Sequence, residues 1–288
     1  MDTTVGTRFA GEDPGRYSPR LEIRRCRARQ LTGRQRSVEP VRSLLVCTNP
    51  RAGSWMLCTA LAQTSVAGYP SEYLIPWDEK EWSALWGARD YEAFLAGMRR
   101  EGTSANGLFS VKLMWGHVEH LRDRVRELDA YRALDAADLL PAVFPEPTYV
   151  WLSRRDTVAQ AVSHARAVTS GTWAVGAAER PDAPPDAAAF DPDLVRRLHT
   201  EVLEQEEAWR RLFASRGVEP LRLWYEDLVA DFDGCLRRVL AHAGLDWPAT
   251  ARPPRPRVAR QSAAGGDPWL PTARRLLGDA ATVEGETR

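Results

Sequence analysis

The 288-residue sequence has no excess of charge of either sign, because its 39 Lys and Arg residues balance its 39 Asp and Glu residues. Proteins that bind nucleic acid or acidic membranes through their overall field usually carry a surplus of basic residues. The sequence also lacks an apolar run near the roughly 18 residues that indicate a transmembrane helix. We therefore expect a small-molecule partner, no nucleic acid and no membrane span.

Cysteine is scarce, with only Cys26, Cys47, Cys58 and Cys235. Their spacing shows neither the ligand pairs of a zinc site nor the framework of a disulfide-rich secreted protein. The start of the sequence lacks the charged segment and apolar core of a signal peptide. These absences predict a reduced, cytoplasmic protein that requires no metal.

The sequence contains no Walker A motif, since G-x-x-x-x-G-K-[ST] occurs nowhere in it. It does have a small-residue turn at 49–55, between the apolar run 44–47 and apolar residues at helical spacing. A helix N-terminus attracts anions, Arg51 adds a guanidinium group, and Gly53 permits a close backbone approach. The turn predicts a phosphate-type site, and an ordinary turn with a solvated Arg is the alternative.

The first forty residues differ in composition from the rest. They hold an arginine cluster amid Gly, Pro and Ser with almost no aliphatic periodicity, which is typical of a flexible basic tail. We expect removal of such a tail to leave folding and turnover nearly intact. Residues 41–288 are predicted to form a single domain.

Strand and helix patterns alternate from residue 41 onward. Buried-strand patterns occur at 43–48, 108–114, 148–153 and 220–225, helical patterns include 194–217 and 227–245, and a surface loop is expected at 176–192. The alternation predicts an α/β fold with a doubly wound parallel sheet flanked by helices. Its ligand crevice should lie at the carboxyl ends of the strands.

A second anion site is predicted after the strand at 148–153. Arg154 and Arg155 follow this strand, and Ser163 lies two turns into the next helix. A guanidinium group can bind a phosphate with two hydrogen bonds, and a serine hydroxyl can donate to the same group. Two strand ends therefore offer positive charge to one ligand.

Four segments taken together resemble a known family. They are C-T-x-P-R-A-G-S at 47–54, R-R-D-x-x-x-Q-A-V-S at 154–163, Y-E-D-L-V-A-D at 225–231 and Arg-Gln at 260–261. Their order over residues 43–277 resembles that of the bacterial trehalose 2-sulfotransferase-like family. The resemblance implies a P-loop-like sulfotransferase fold. It also implies that a sulfuryl group passes from 3′-phosphoadenosine 5′-phosphosulfate to a hydroxyl of a sugar, glycolipid or secondary metabolite, leaving adenosine 3′,5′-bisphosphate.

The resemblance also implies which residues bind the donor. The residues at the 5′-phosphosulfate would be Arg51, Ala52, Gly53, Ser54 and Trp55. Arg154 and Ser163 would bind the 3′-phosphate, with Arg155 as the alternative to Arg154. Arg260 and Gln261 would make a late contact to the nucleotide.

The resemblance further implies that Glu72 stands at the position of the family's acceptor base. A carboxylate there could take the acceptor proton, and burial and the donor's anionic groups are expected to raise its pKa. Residue type alone instead indicates a surface turn. His117 is the rival base, because imidazole titrates near neutrality, and its i,i+3 spacing to His120 lacks a third metal ligand. Lys112 would stabilise charge on the leaving phosphate, or else extend from a strand end to solvent.

Some alternatives remain open at this stage. A kinase-like phosphotransferase would need Mg²⁺ ligands and a Lys after the glycine, which are not apparent. A catalytically silent nucleotide-binding module is the other alternative, and a homodimer is not excluded. Five tryptophans are expected to border the crevice, with Trp173 as the main candidate for an acceptor or adenine wall: Trp77, Trp82, Trp86, Trp115 and Trp173.

Overall fold

A computed structural model describes residues 17–30, 39–177, 189–248, 250–259 and 267–278. Within them, four strands form one parallel sheet flanked by helices. The strands are β1 (Arg42–Thr48), β2 (Leu108–Met114), β3 (Pro147–Ser153) and β4 (Leu221–Trp224). The four strand predictions are thus confirmed to within one residue at each end.

The strand order is β2-β1-β3-β4, so β1 and β3 lie at the centre of the sheet. From β1 the chain moves outward to β2 and then returns to the other side of β1 to form β3. This change of direction creates a crevice between the carboxyl ends of β1 and β3. The loops that begin at residues 49 and 154 both lead out of this crevice.

The helices cover both faces of the sheet and the ends of its strands. In chain order they are α1 (Pro19–Gln30), α2 (Ser54–Thr64), α3 (Glu79–Trp86), α4 (Tyr91–Gly102), α5 (Trp115–Val125), α6 (Ala136–Val143), α7 (Thr157–Ser170), α8 (Pro192–Arg216), α9 (Tyr225–Ala230), α10 (Phe232–His242) and α11 (Leu270–Leu277), with a 3₁₀ turn at Pro76–Asp78. No helix in the described ranges is both long and apolar enough to cross a membrane.

Alternate residues of the strands pack into two separate cores. Leu45 and Cys47 of β1 face a cluster contributed by α3, α4, α5, α6 and α8. Leu44 and Val46 face a second cluster, contributed by α1, α2, α9 and α10. Burial on both faces explains why this strand is a continuous apolar run rather than an alternating one.

Two predictions about the helices are wrong. Residues 19–30 of the predicted flexible tail form α1, because Ile23 and Cys26 supply an apolar face that packs in the same cluster as α2. The single helix predicted over 227–245 is divided into α9 and α10 at Asp231. The side chain of Asp231 accepts a hydrogen bond from the backbone N–H of Gly234 at 2.9 Å and so begins α10.

Candidate active site

The loop after β1 turns sharply into α2. Arg51 and Gly53 both have left-handed backbone conformations, with φ angles of 67° and 82°. A Cβ atom on Gly53 would lie 2.7 Å from Cδ2 of Tyr225, so a larger residue would require both strain and displacement. No side chain caps the N-terminus of α2. Its first N–H groups and its partial positive charge therefore face the loop.

Arg51 is held between α7 and the segment that follows it. Its Nε donates to Oγ of Ser163 at 3.0 Å, and its Nη1 donates to the backbone oxygen of Trp173 at 2.5 Å. Burial, and then the positive charge of Arg154, lower the pKa of Arg51 to about 10. It remains protonated at neutral pH, and an anion bound beside these two cations would relieve their repulsion.

The two arginines after β3 have different surroundings. Arg155 forms two hydrogen bonds to the carboxylate of Asp227, both 2.8 Å long. These hydrogen bonds raise the pKa of Arg155. The guanidinium of Arg154 instead lies 4.6 Å from the ring centroid of Tyr225, on the side of Arg51. The structure therefore brings Arg154, rather than Arg155, together with Arg51 and its loop.

Glu206, which the sequence patterns did not single out, is a buried carboxylate of α8 that links the ends of β1 and β3 to β4. Its Oε1 accepts hydrogen bonds from Nδ2 of Asn49 at 2.8 Å and from Oγ of Ser153 at 2.5 Å. Its Oε2 accepts one from Nη2 of Arg222 at 3.1 Å. Asn49 is the first residue of one predicted anion-binding loop, and Ser153 immediately precedes the other. A glutamate at helical spacing from the apolar residues Val202 and Trp209 was the available sequence signal.

Replacement of Glu206 with Ala should lower the free energy of unfolding by about 3–5 kcal/mol, because the buried donors of Asn49 and Ser153 and the half-buried Arg222 lose their acceptor. Urea denaturation measures this loss. Glu207→Ala is the control, since Glu207 lies next in the same helix and, in the described structure, forms ion pairs only with the exposed Arg210 and Arg211. Equal stability of the two variants would contradict the role of Glu206 as a clamp.

Glu72 lies in a buried segment that runs beside β2. The backbone oxygen of Ser71 accepts a hydrogen bond from the N–H of Lys112 at 3.0 Å. This pairing places the side chains of Glu72 and Lys112 next to each other. Nζ of Lys112 lies 2.7 Å from Oε1 of Glu72. Lys112 is 1% exposed and Glu72 is 5% exposed. The interpretations of Glu72 as a surface turn residue and of Lys112 as a solvated side chain are therefore wrong.

Nearby cations outweigh the effect of burial, which was expected to raise the pKa of Glu72. Burial alone raises the pKa, but the positive charges of Lys112 and Arg20, with a further contribution from His117, bring it down to about 2. Burial lowers the pKa of Lys112, although Glu72 opposes this effect. We therefore describe Glu72 and Lys112 as a buried ion pair.

Lys112 connects the carboxylate to the anion-binding loop. Its Nζ lies 3.8 Å from the ring centroid of Trp55, a residue in the first turn of α2. Lys112 is also one of only two lysines in the sequence, the other being Lys80. A compact ammonium group thus lies between the N-terminus of α2 and Glu72.

His117 is buried near the same pair, but its hydrogen bonding does not suit a base. Its Nδ1 accepts a hydrogen bond from the backbone N–H of Met114 at 3.2 Å. Burial lowers the pKa of His117 to about 4, so the ring is neutral at pH 7 and carries its proton on Nε2. His120 pairs with Glu79 at 2.9 Å. Among the described residues, no group of three or more His, Cys, Asp or Glu side chains is arranged to hold a metal.

The predicted tryptophan wall is only partly present. Trp82 is fully buried in the core cluster on the α3–α6 side of the sheet, which corrects its assignment to the crevice, whereas Trp86 and Trp115 are half-buried against that cluster. Trp77 is 66% exposed and Trp173 is 49% exposed. Of the two, Trp173 contacts the anion-binding loop directly, through its hydrogen bond from Arg51.

Arg260 and Gln261 lie outside the described residues. The chain just before them is described, and it approaches the segment that follows α7. The N–H of Ala259 donates to the backbone oxygen of Val175 at 2.7 Å, and Val258 forms an antiparallel bridge with Gly176.

Comparisons with known proteins identify sulfotransferases that are similar to this chain. Residues 43–275 match the family model described as Stf0 sulphotransferase. The chain is 28% identical over 263 residues to a trehalose 2-sulfotransferase of Mycobacterium tuberculosis (strain ATCC 35801 / TMC 107 / Erdman), covering 80% of this chain and 93% of the relative. It is 29% identical over 265 residues to a trehalose 2-sulfotransferase of Mycolicibacterium smegmatis (strain ATCC 700084 / mc(2)155), covering 80% and 94%.

Proposed function

The chain belongs to the Stf0 sulphotransferase family, and from this premise we propose that it transfers a sulfuryl group from 3′-phosphoadenosine 5′-phosphosulfate to a hydroxyl of a sugar. The observation that carries the proposal is the line of contacts from the anion-binding loop to a buried carboxylate. Trp55 of that loop contacts Lys112, and Lys112 contacts Glu72. The sugar acceptor is supported by the two relatives, which are trehalose 2-sulfotransferases.

The described residues suit a donor that carries anionic groups at two positions. We propose that Arg51, Ala52, Gly53, Ser54 and Trp55 bind the 5′-phosphosulfate in a P-loop-like manner. The uncapped N-terminus of α2 supports this assignment, since it offers N–H groups and positive charge without a triphosphate cradle.

The 3′-phosphate is assigned to Arg154 and Ser163, with Arg260 and Gln261 as a further contact to the nucleotide. Arg51 of the first proposed anion site is hydrogen-bonded to Ser163 of the second, so the two sites would adjoin each other. Arg154 is preferred to Arg155 as the 3′-phosphate contact, because Asp227 already binds the guanidinium group of Arg155.

When bound, the donor would supply an activated sulfuryl group. Glu72 would take the proton of the acceptor hydroxyl as the acceptor oxygen forms its bond to sulfur and the bond between sulfur and the bridging phosphate oxygen breaks. Lys112 would stabilise the negative charge that grows on the leaving phosphate. His117, whose Nδ1 already accepts a hydrogen bond, would only donate from Nε2.

Lys112 also gives Glu72 a way to become a stronger base after the donor binds. A carboxylate with a pKa of about 2 holds a proton weakly. Anionic groups near Lys112 would offset part of the positive charge that keeps this pKa low, and a nearby negative charge raises the pKa of a carboxyl group. Donor binding would therefore prepare Glu72 to accept a proton.

We also propose the domain boundaries and the cellular environment of the enzyme. We propose that residues 41–288 act as one domain together with α1, because a single sheet carries both predicted anion-binding loops and α1 packs in the same core cluster as α2. All four cysteines are buried free thiols, which supports a reducing, cytoplasmic environment.

The test is a transfer assay with the full chain and 3′-phosphoadenosine 5′-phosphosulfate. We expect one or more sugars from a panel that includes trehalose to gain the mass of a sulfuryl group, in step with release of adenosine 3′,5′-bisphosphate. A parallel incubation with ATP and Mg²⁺ is the control for phosphoryl transfer. Phosphorylated sugar without sulfated sugar would contradict the proposal.

A further inference from the structure

Helix α1 lies outside the family-matched residues 43–275, yet it packs into the core beside the candidate site. Ile23 and Cys26 are buried in the same cluster as α2. Arg24 and Arg27 pair with Glu101 of α4 at 3.8 and 3.3 Å. These contacts fix both the position and the rotation of α1, so its remaining side chains have defined neighbours.

Arg20 in the first turn of α1 reaches the candidate base. Its Nη2 lies 3.2 Å from Oε2 of Glu72, while its Nη1 pairs with the fully buried carboxylate of Asp78. Lys112 pairs with the other oxygen, Oε1. Each oxygen of the Glu72 carboxylate is therefore held by a different cation, one from β2 and one from α1.

We propose that Arg20 is a positioning residue for sulfuryl transfer, and that α1 forms part of the acceptor side of the active site. The proposal rests on the proposed function, in which Glu72 is the base. With Lys112 alone, the carboxylate could rotate about its bond to Cγ. A second cation on Oε2 fixes its plane, and each carboxylate oxygen retains lone-pair capacity for the acceptor hydroxyl.

A second contact ties α1 to the same segment of chain. The hydroxyl of Tyr69 donates to Oε1 of Gln30, at the opposite end of α1 from Arg20. The segment that carries Tyr69, Glu72 and Asp78 is therefore attached to both ends of one helix. Deletion of the first 35 residues would remove these attachments. The truncated chain should therefore have reduced turnover, contrary to the prediction for a flexible tail.

The experiment compares Arg20→Gln and Arg20→Lys with Arg24→Gln in the full chain. Arg24 is the matched control, because it also anchors α1 but pairs with Glu101 instead of Glu72. We expect Arg20→Gln to lower kcat by about 10- to 100-fold, since small displacements of a catalytic group have effects up to this size. The KM for the donor should change little, and Arg20→Lys should restore part of the rate. Arg24→Gln should keep normal turnover.

Combining Arg20→Gln with Glu72→Gln distinguishes positioning from general stabilisation. If Arg20 acts through Glu72, the double variant should be no slower than Glu72→Gln alone. The effects of two substitutions on the rate are not additive when the two residues act together. An additive loss, unchanged turnover in Arg20→Gln, or raised turnover in Arg20→Gln would each overturn the proposal. If Glu72→Gln itself is fully active, the base assignment fails instead, and the two failures are thereby distinguished.

Discussion

Glu72→Gln should reduce turnover by about 10²–10⁴-fold, the usual contribution of a general base. The substitution keeps the size of the side chain and a hydrogen-bonding oxygen for Lys112, but it removes the negative charge that accepts the proton. Affinity for adenosine 3′,5′-bisphosphate should change little, because the assigned phosphate contacts lie in the loops after β1 and β3. Single-turnover kinetics and calorimetry measure the two effects separately.

The same substitution leaves Lys112 buried without its carboxylate, so the variant requires a check on folding. Breaking a buried ion pair from one side costs about 3–5 kcal/mol. Glu72→Asp is the companion variant, since it keeps the charge for Lys112 while withdrawing the carboxylate from the acceptor. We expect it to fold normally and to turn over slowly. A fully active Glu72→Gln enzyme would rule out Glu72, and inactivity of His117→Asn with normal fold and donor binding would move the role to His117.

Arg51→Ala should weaken binding of adenosine 3′,5′-bisphosphate by about one to two powers of ten. A hydrogen bond to a charged group contributes about 1.5–3 kcal/mol, and each 1.4 kcal/mol corresponds to about a tenfold change in affinity. The fold should survive, because Arg51 lies in a turn and its removal also relieves the repulsion with Arg154. Calorimetric titration and thermal unfolding measure both outcomes.

Arg155→Ala is the control for Arg51→Ala, because it also removes one positive charge. The guanidinium group that it removes is already bound by Asp227. We expect its affinity for adenosine 3′,5′-bisphosphate to stay close to that of the unchanged protein. Normal binding by Arg51→Ala would refute the anion-binding role of the loop. A large loss in Arg155→Ala would transfer the 3′-phosphate contact from Arg154 to Arg155.

The parts of the structure that the sequence predicted well are those encoded by short stretches of chain. The run 44–47 is apolar on both faces, so it had to be a buried strand. Gly53 marks a left-handed position in the turn, a conformation that glycine adopts more easily than other residues. The division at Asp231 was missed because a helix-capping side chain inside an amphipathic run resembles an ordinary polar position until the backbone is seen.

The α1 prediction failed for a related reason. Arginine is the most visible feature of residues 19–30, and a basic segment with few aliphatic residues is typical of a tail. Ile23 and Cys26 are nevertheless enough to bury one face, because the cluster around α2 supplies the rest of the apolar surface. Helices in proteins owe most of their stability to such packing, which composition does not reveal.

By itself, the sequence determined the alternation of strands and helices, the loop after β1 and the motifs that indicate a sulfotransferase, since each is encoded in short stretches of chain. Only the tertiary structure decided the electrostatics around Glu72. Arg20 lies 52 residues before Glu72 in the chain and reaches it only because α1 packs beside α2, while Lys112 reaches it because residue 71 pairs with β2. A pKa depends on burial and on charges within a few ångströms, so the lowering to about 2 could not be predicted until the fold had brought these residues together.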